Sequence, residues 1–333
     1  MTAPVRVPAI GSVIIRYLTL KTALGRRYAL ERRILERLEA FLATTAGATA
    51  DLTPETFAAW AQTLQHLMPT VRRNHLWIVR NLCLYRRRTE PACFVPDLTL
   101  FPTPHQPRAP YIFRPEEIVH LLRATSTLAP TPHSPLRPHV FHLAVVLLYT
   151  TGLRRGELLR LTLGDYARDE HVLLIRETKF HKSRWVPLAR TTVREVERYL
   201  LARKRQHLSV APPTPLLAHG IKVLRGYTGV GLGHGFRQLL ATTRIRTPDG
   251  HRPRIHDLRH TFAVHALMRW YRTGTDVQAK LPRLATYMGH VSIVSTAYYL
   301  AFVEPLRALA SARFARRCGA LIRCGADAAG DPR

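Results

Sequence analysis

The sequence is poor in cysteine and acidic residues, and it has no long apolar run. Its four cysteines, Cys83, Cys93, Cys318 and Cys324, include no Cys-x-x-Cys pair and stand at no zinc-ligand spacing from histidine. This pattern argues against both a zinc site and a disulfide framework. No uncharged stretch of about 18 apolar residues occurs, and no signal peptide opens the chain. We therefore expect a reduced, cytoplasmic protein that has no bound metal and no membrane contact.

The shortage of acidic residues leaves a large positive charge. Only 22 Asp and Glu oppose 50 Lys and Arg among 333 residues, so the formal net charge is +28 at pH 7. A compact chain with this excess repels itself unless a polyanion neutralises it. Most of the basic residues are arginine, whose planar guanidinium can donate two parallel hydrogen bonds to a phosphate. The composition therefore predicts a nucleic acid as partner and a nucleoid-associated location.

The first hundred residues carry apolar side chains at helical spacing. Helices are predicted over about 26–42, from Thr53 onward, and over about 70–88. The third helix also carries basic side chains, which remain available for phosphate; a solvated charged face is the alternative interpretation. These candidate DNA-binding residues are Arg72, Arg73, Arg80, Arg86, Arg87 and Arg88.

Prolines then break the periodicity, with five between residues 96 and 110. Such a density predicts an extended connector and a domain boundary. Further along, Val140–Thr150 predicts a buried helix, and two short apolar runs, His171–Ile175 and Arg184–Leu188, predict strands around a polar turn. Helical patterns resume at Thr192–Gln206, whereas residues 208–235, rich in Pro and Gly, receive no assignment.

The predicted fold class is therefore mainly α with a small antiparallel β-sheet, in two domains. A helical, DNA-binding domain over residues 1–95 precedes a proline-rich linker over 96–112. The second domain covers 113–318, and residues 319–333 are expected to form a flexible tail.

Four separated segments carry the functional signal. They are TTGLRRGELLRL (150–161), the hairpin TKFHKSRWVPL (178–188), HDLRHTFA (256–263) and MGHVSIVSTAYY (288–299). In this order and spacing they resemble the catalytic domain of the tyrosine recombinases, the phage integrase family. That family has an Arg after a Thr-Gly-Leu turn with an acidic residue three positions on, a hairpin Lys, a His-x-x-Arg pair, and a Gly-His nine residues before the Tyr nucleophile. The matching residues are Arg154, Glu157, Lys179, His256, Arg259, His290 and Tyr299.

The resemblance implies a site-specific recombinase that cleaves and rejoins double-stranded DNA through a 3′-phosphotyrosyl intermediate at Tyr299. Arg154, Arg259 and His290 would bind the phosphate oxygens that gain charge in the transition state. His256 would accept the tyrosine proton, and Lys179 would protonate the leaving 5′-oxygen. Glu157 would hold Arg154 or the adjoining backbone and would not touch DNA. Because the phosphotyrosyl bond retains the energy of the phosphodiester, neither metal nor ATP nor another cofactor is needed.

Some alternatives stay open. Lys182 competes with Lys179, and Tyr298 with Tyr299, although the nine-residue interval favours Tyr299; Tyr298 is expected in the core or stacked nearby. His260 is expected to pack rather than catalyse. The resemblance also implies a homo-oligomer on DNA, a tetramer in synapsis, with or without partner recombinases, and a C-terminal helix over 304–318 that docks on a neighbour. The competing functions are a type IB-like enzyme that nicks and reseals, and a non-enzymatic DNA-binding protein of a mobile element.

Overall fold

A computed structural model describes residues 10–26, 28–46, 51–103, 108–176, 183–290 and 292–301. The chain divides into two compact units, residues 1–108 and 109–333. The division lies inside the stretch that the sequence marks as the linker. Lys179, Lys182 and the predicted C-terminal helix lie outside the described residues.

The described part of the first unit contains four α-helices around its own apolar core. Phe57, Leu76 and Val79 are among the side chains buried there. The second and fourth helices confirm the helices that the apolar spacing predicts over about 26–42 and 70–88. The third helix begins after Thr53, whose Oγ acts as the N-cap and accepts a hydrogen bond from the Thr56 amide. The first helix was not predicted from the sequence. The helices are α1 (Ile10–Ala23), α2 (Ala29–Ala46), α3 (Pro54–Thr63) and α4 (Pro69–Arg86).

The second unit consists of helices and two small antiparallel sheets, which confirms the predicted fold class. Its helices are α5 (Pro115–Ala124), α6 (Arg137–Thr151), α7 (Arg155–Arg160), α8 (Arg190–Arg205), α9 (Gly229–Thr243), α10 (Asp257–Arg272), α11 (Val277–Met288) and α12 (Val294–Ala301). Its strands are β1 (Tyr166–Ala167), β2 (Val172–Ile175), β3 (Arg184–Pro187), β4 (Ala218–His219) and β5 (Arg225–Gly226).

Helix α6 is the centre of this unit. It is apolar on all sides, and its side chains from Val140 to Leu148 are almost all buried, as the uninterrupted apolar run predicts. Helices α8 and α10 pack against it. The two predicted strands are β2 and β3, which pair so that Ile175 faces Arg184. Strand β1 was not predicted, and it joins the other edge of β2.

The unassigned stretch 208–235 contains β4, β5 and the start of α9. Arg203, at the end of α8, is completely buried and donates hydrogen bonds to the carbonyls of Ser209, Pro215 and Leu216. Proline has no amide hydrogen, so the proline-rich loop after α8 has few amides that can pair with its carbonyls, and a guanidinium satisfies them instead. Nothing in the local sequence marks Arg203 for this role.

Within the described ranges, no group of three or more His, Cys, Asp or Glu side chains is placed to hold a metal ion. In the same ranges, no helix is both long enough and apolar enough to cross a bilayer.

Candidate active site

The turn after α6 presents Arg154. Gly152 has a φ of +62°, a left-handed conformation that ends the helix, and a Cβ at this position would lie 2.4 Å from the Phe262 ring. The chain then enters α7 with Arg154 at the N-cap position. Its Nη1 donates to Glu157 at 2.7 Å, and its Nη2 donates to the Gly289 carbonyl at 2.7 Å. The guanidinium, 32% exposed, is thus held firmly but stays accessible.

Glu157 is the buried acceptor that holds two arginines. Its carboxylate accepts from the Arg154 side chain and amide, and also from both terminal nitrogens of Arg184, at 2.9 and 3.2 Å. Burial alone would raise the pKa of Glu157, but the hydrogen bonds and charges of Arg184 and Arg154 outweigh it and lower the pKa to about 2. The contact with Arg154 is the one that the sequence predicts.

The lowered pKa of Glu157 predicts a pH-dependent contribution to stability. A folded-state pKa of about 2 against an ordinary 4.5 means that the unfolded chain takes up the proton first as the pH falls. The stabilisation, about 3 kcal/mol, is therefore complete above pH 5.5, falls to about half by pH 3 and is lost only as the pH drops through the folded-state pKa. We expect Glu157→Gln to lower the free energy of unfolding by about this amount at pH 7, and the gap from wild type to shrink between pH 5 and 3. Urea titrations at several pH values measure the gap; one that stays constant with pH would contradict the prediction.

Arg259, on α10, is the deepest charge of the site. Its Nη1 donates to the Gly152 carbonyl and its Nη2 to the Met288 carbonyl at 3.0 Å. Burial lowers the pKa of Arg259 to about 10, helped by the positive charge of Arg154 and opposed by Tyr299. The guanidinium therefore remains charged at neutral pH although it is almost fully enclosed.

The C-terminal turn of α11 holds all three arginines. The last carbonyls of a helix have no partner within the helix and carry its partial negative charge. Here three consecutive carbonyls each accept from a different guanidinium. The pairs are Arg184 with Tyr287 at 2.8 Å, Arg259 with Met288 at 3.0 Å and Arg154 with Gly289 at 2.7 Å.

His290 and Tyr299 follow this turn. Their rings stack with centroids 6.1 Å apart, and His290 Nδ1 lies 2.7 Å from the Thr296 hydroxyl, which is fully buried. Tyr299 is only 3% exposed, and burial raises its pKa, with the charge of Arg259 acting in the opposite direction. Tyr298 is 41% exposed, so it is not a core residue, and its ring packs edge-to-face with that of Tyr299, with centroids 6.0 Å apart.

Two further histidines approach Tyr299 from α10. His256 packs edge-to-face on His260 with centroids 4.8 Å apart, and His260 in turn meets the Tyr299 ring at 5.4 Å. Burial lowers the pKa of His256. Burial also lowers the pKa of His260 and of His290, in each case to about 4, so all three imidazoles are neutral at pH 7. The structure brings His260, expected only to pack, next to the tyrosine, with His256 beyond it.

Comparison with known proteins agrees with this geometry. The model of the phage integrase family matches residues 112–304. The chain is 35% identical over 304 residues to the protein named integrase/recombinase y4rB of Sinorhizobium fredii, and the alignment covers 90% of this chain and 95% of that one. The chain belongs to the phage integrase family. It is a tyrosine recombinase, a site-specific enzyme that binds DNA and cleaves and rejoins it through a phosphotyrosyl intermediate.

Solved structures share the recombinase fold. The XerH site-specific recombinase bound to palindromic difH substrate matches with a TM-score of 0.59 at 16% identity, covering 84% of this chain and 78% of that one. The Tn1549 transposon integrase in complex with transposon right end DNA matches with a TM-score of 0.58 at 18% identity, covering 91% and 98%.

The six arginines predicted to bind DNA differ in their surroundings in the recombinase. Arg87 and Arg88 are exposed, whereas Arg73 and Arg80 are partly buried and donate to the carbonyls of Pro102 and Pro96. Arg72 is also partly buried. Arg86 corrects the prediction: it is 4% exposed and bound to two carboxylates, those of Asp51 and Glu90. An arginine at the inward position of α4 can remain there only because these acids neutralise it.

We expect Arg86→Gln to destabilise the protein and to leave DNA contacts unchanged. It loses charged hydrogen bonds to Asp51 and Glu90, which costs about 2 kcal/mol because both acids keep some access to solvent. Urea titration measures this loss. Arg87→Gln is the matched control: it should leave stability unchanged and reduce the slope of log affinity against log salt by about one. An Arg86→Gln protein with wild-type stability and a reduced salt slope would restore Arg86 as a DNA contact.

Sequence analysis missed two residues of the site, Arg184 and Thr296, and it named His260 only as a packing residue, which agrees with its ring contacts. Arg184 looks like an ordinary residue at a strand start, and Thr296 like part of a helix. The only signal for His260 was its position beside Arg259 in HDLRH.

Proposed function

We propose that Arg154, Arg259, His290 and Tyr299 form the reaction centre, with Tyr299 as nucleophile and with Lys179 and His256 as proton carriers. The observation that carries this proposal is the convergence of the α6–α7 turn, α10 and the α11–α12 turn on one buried tyrosine. The α6–α7 turn lies more than a hundred residues before the other two elements in the sequence, so its meeting with them is a property of the fold.

The arginines would stabilise charge on the phosphate. Attack by Tyr299 Oη adds negative charge to the non-bridging oxygens, and preorganised donors in a dry site stabilise that charge strongly. Each guanidinium has five N–H donors. Bonds to Glu157 and the Gly289 carbonyl orient Arg154, and bonds to the Gly152 and Met288 carbonyls orient Arg259, while further donors remain for DNA. If the Thr296 hydroxyl donates to Nδ1 of His290, Nε2 carries the hydrogen and can donate to the same oxygens.

Proton transfer would make the Tyr299 hydroxyl able to attack and the 5′-oxygen able to leave. The raised pKa of Tyr299 keeps the phenol protonated at pH 7, so attack needs a neutral acceptor. His256 is the proposed acceptor, and its lowered pKa makes it neutral. The rings offer a route through His260, which lies between His256 and Tyr299. Lys179 would deliver a proton to the leaving 5′-oxygen.

The experiment uses wild-type protein and nicked suicide substrates made from the DNA that flanks the gene. Cleavage that releases a short fragment prevents rejoining, so a 3′-phosphotyrosyl adduct accumulates and migrates slowly on a denaturing gel. Two labelled full sites are then tested for branched junctions. Adduct together with junctions supports recombination. Adduct alone favours a nicking and resealing enzyme, and tight binding with no adduct on any flanking site favours an inactive DNA-binding relative.

Assembly on DNA as a homo-tetramer, alone or with a partner recombinase, belongs to the same proposal, as does a nucleoid-associated place in the cytoplasm. The named neighbours XerH and the Tn1549 integrase are described in complex with DNA. The sequence after Tyr299 also supports assembly, since Leu306, Leu309, Ala312 and Phe314 recur at helical spacing and would form an apolar stripe if that segment is a helix. The stripe would dock on a neighbouring subunit.

Deleting residues 304–333 is therefore expected to abolish cooperative loading of the second subunit on a full site. Half-site binding should change by less than about threefold, because the stripe is proposed to contact protein and not DNA. Gel-shift titration of half and full sites separates the two effects. Cooperative loading by the truncated chain would contradict the docking proposal.

A further inference from the structure

Arg184 forms a link between the catalytic hairpin and the turn that carries His290. It is the first residue of β3, and its side chain is only 11% exposed. Nε donates a hydrogen bond to the Tyr287 carbonyl at 2.8 Å, and the two terminal nitrogens each donate to one carboxylate oxygen of Glu157. All three bonds leave the hairpin and end on other elements of the site.

The surrounding chain is shaped to accept this guanidinium. A Cβ on Gly289 would lie 2.6 Å from Arg184 Nη1, and Gly289 has a φ of +69°, so glycine both makes the turn and leaves room. At the other end of β3, the Tyr287 hydroxyl donates to the Pro187 carbonyl at 3.1 Å. Both ends of the strand are thus tied to one residue of α11.

The position of Arg184 in the chain gives these bonds a consequence. Lys179 stands five residues earlier, between the end of β2 at Ile175 and the start of β3. Fixing the start of β3 fixes the point from which that segment must reach the scissile phosphate. Glu157 also accepts a hydrogen bond from Arg154, so one carboxylate connects the start of β3 with an arginine that is proposed to bind the phosphate.

We propose that Arg184 is a positioning residue for leaving-group protonation: its fork holds the hairpin so that Lys179 can deliver its proton to the 5′-oxygen. This inference rests on the proposed role of Lys179. Lysine in place of Arg184 keeps the charge but cannot bind two carboxylate oxygens and a carbonyl at once, so it would not restore the position.

The test compares two leaving groups in the same protein. Single-turnover cleavage is measured on a suicide substrate with the ordinary 5′-oxygen and on one with 5′-sulfur at the scissile bond. In both, Tyr299 Oη bonds to phosphorus and the bond to the 5′ atom breaks. A thiolate, from a thiol of pKa about 8.5, leaves without a proton, so the sulfur substrate does not need the general acid. The ratio of the two rates is independent of how much protein is folded.

We expect Arg184→Gln and Arg184→Lys to cleave the oxygen substrate about 100-fold more slowly and the sulfur substrate within about threefold of wild type. Arg176→Gln is the matched control, because Arg176 follows β2 and pairs with Asp165, away from α11. It should behave like wild type on both substrates.

Lys179→Ala separates the two proposals. One outcome is that the 5′-sulfur substrate restores the cleavage rate of Lys179→Ala but not that of the Arg184 variants. In that case Arg184 acts only on the other arginines or on folding, and the inference is overturned. Unchanged oxygen cleavage in the Arg184 variants overturns it as well. If sulfur fails to restore Lys179→Ala, the general-acid assignment itself is wrong and the inference falls with it.

Discussion

We expect Tyr299→Phe to abolish covalent attachment to DNA, with a loss of more than about 10⁴-fold in cleavage rate, because phenylalanine lacks the oxygen that is proposed to attack the phosphate. The variant keeps the ring that packs against His290 and His260, so the fold and DNA affinity should remain. Denaturing gels of the suicide-substrate reaction measure the adduct, and gel-shift titration measures binding.

Tyr298→Phe is the matched control for this result. Tyr298 is the neighbouring tyrosine on α12 and is much more exposed, so removal of its hydroxyl should change adduct formation by less than about threefold. A full adduct from Tyr299→Phe, or its loss from Tyr298→Phe, would assign the nucleophile to Tyr298. That outcome would require α12 to turn when DNA binds, because Tyr299 is the residue that the arginines approach in this structure.

Arg259→Lys is expected to lower cleavage about 10³-fold. A donor that stabilises developing charge in a water-free site contributes up to about 10³ in rate, and lysine lacks the planar fork that reaches two carbonyls and a phosphate together. Arg259 is also structural, since it joins the Gly152 and Met288 carbonyls, so some stability should be lost. Cleavage is therefore compared at saturating enzyme, with the folded fraction measured by circular dichroism.

Arg254→Lys provides the control on the same segment. Arg254 pairs with Asp257 at 3.0 Å at the start of α10 and is largely exposed. It should lower stability slightly and leave cleavage within about threefold. If Arg259→Lys cleaves at the wild-type rate once its folded fraction is considered, Arg259 has a structural role only and the proposed phosphate clamp is wrong.

The resemblance to the family is what identified the candidate site residues, and local chemistry explains only why some of their contacts follow from spacing. Arg154 and Glu157 meet because residues three apart at a helix start lie side by side, and their contact needs only that spacing. The position of α6 in the core was predictable because a continuous apolar segment is unfavourable in contact with water. The strands β2 and β3 follow from two apolar segments around a polar turn, and the spacing of His290 and Tyr299 fits one turn and a short helix.

The tertiary structure decided what depends on distant partners. Arg86 has a helical position like that of its neighbours, yet Asp51, 35 residues away, makes it a core residue instead of a DNA contact. Arg184 donates to the carbonyl of Tyr287, which lies 103 residues further along the chain, and the ring of His260 packs against that of Tyr299 on another helix. A backbone carbonyl has no identity in the sequence, so no pattern could reveal that three successive carbonyls of α11 each hold an arginine. The sequence by itself determined which chemical groups exist and how neighbours along the chain pair. The packing of α10 and α11 against the hairpin and the α6–α7 turn determined which of those groups meet, because burial forces each charge to find a partner wherever the fold supplies one.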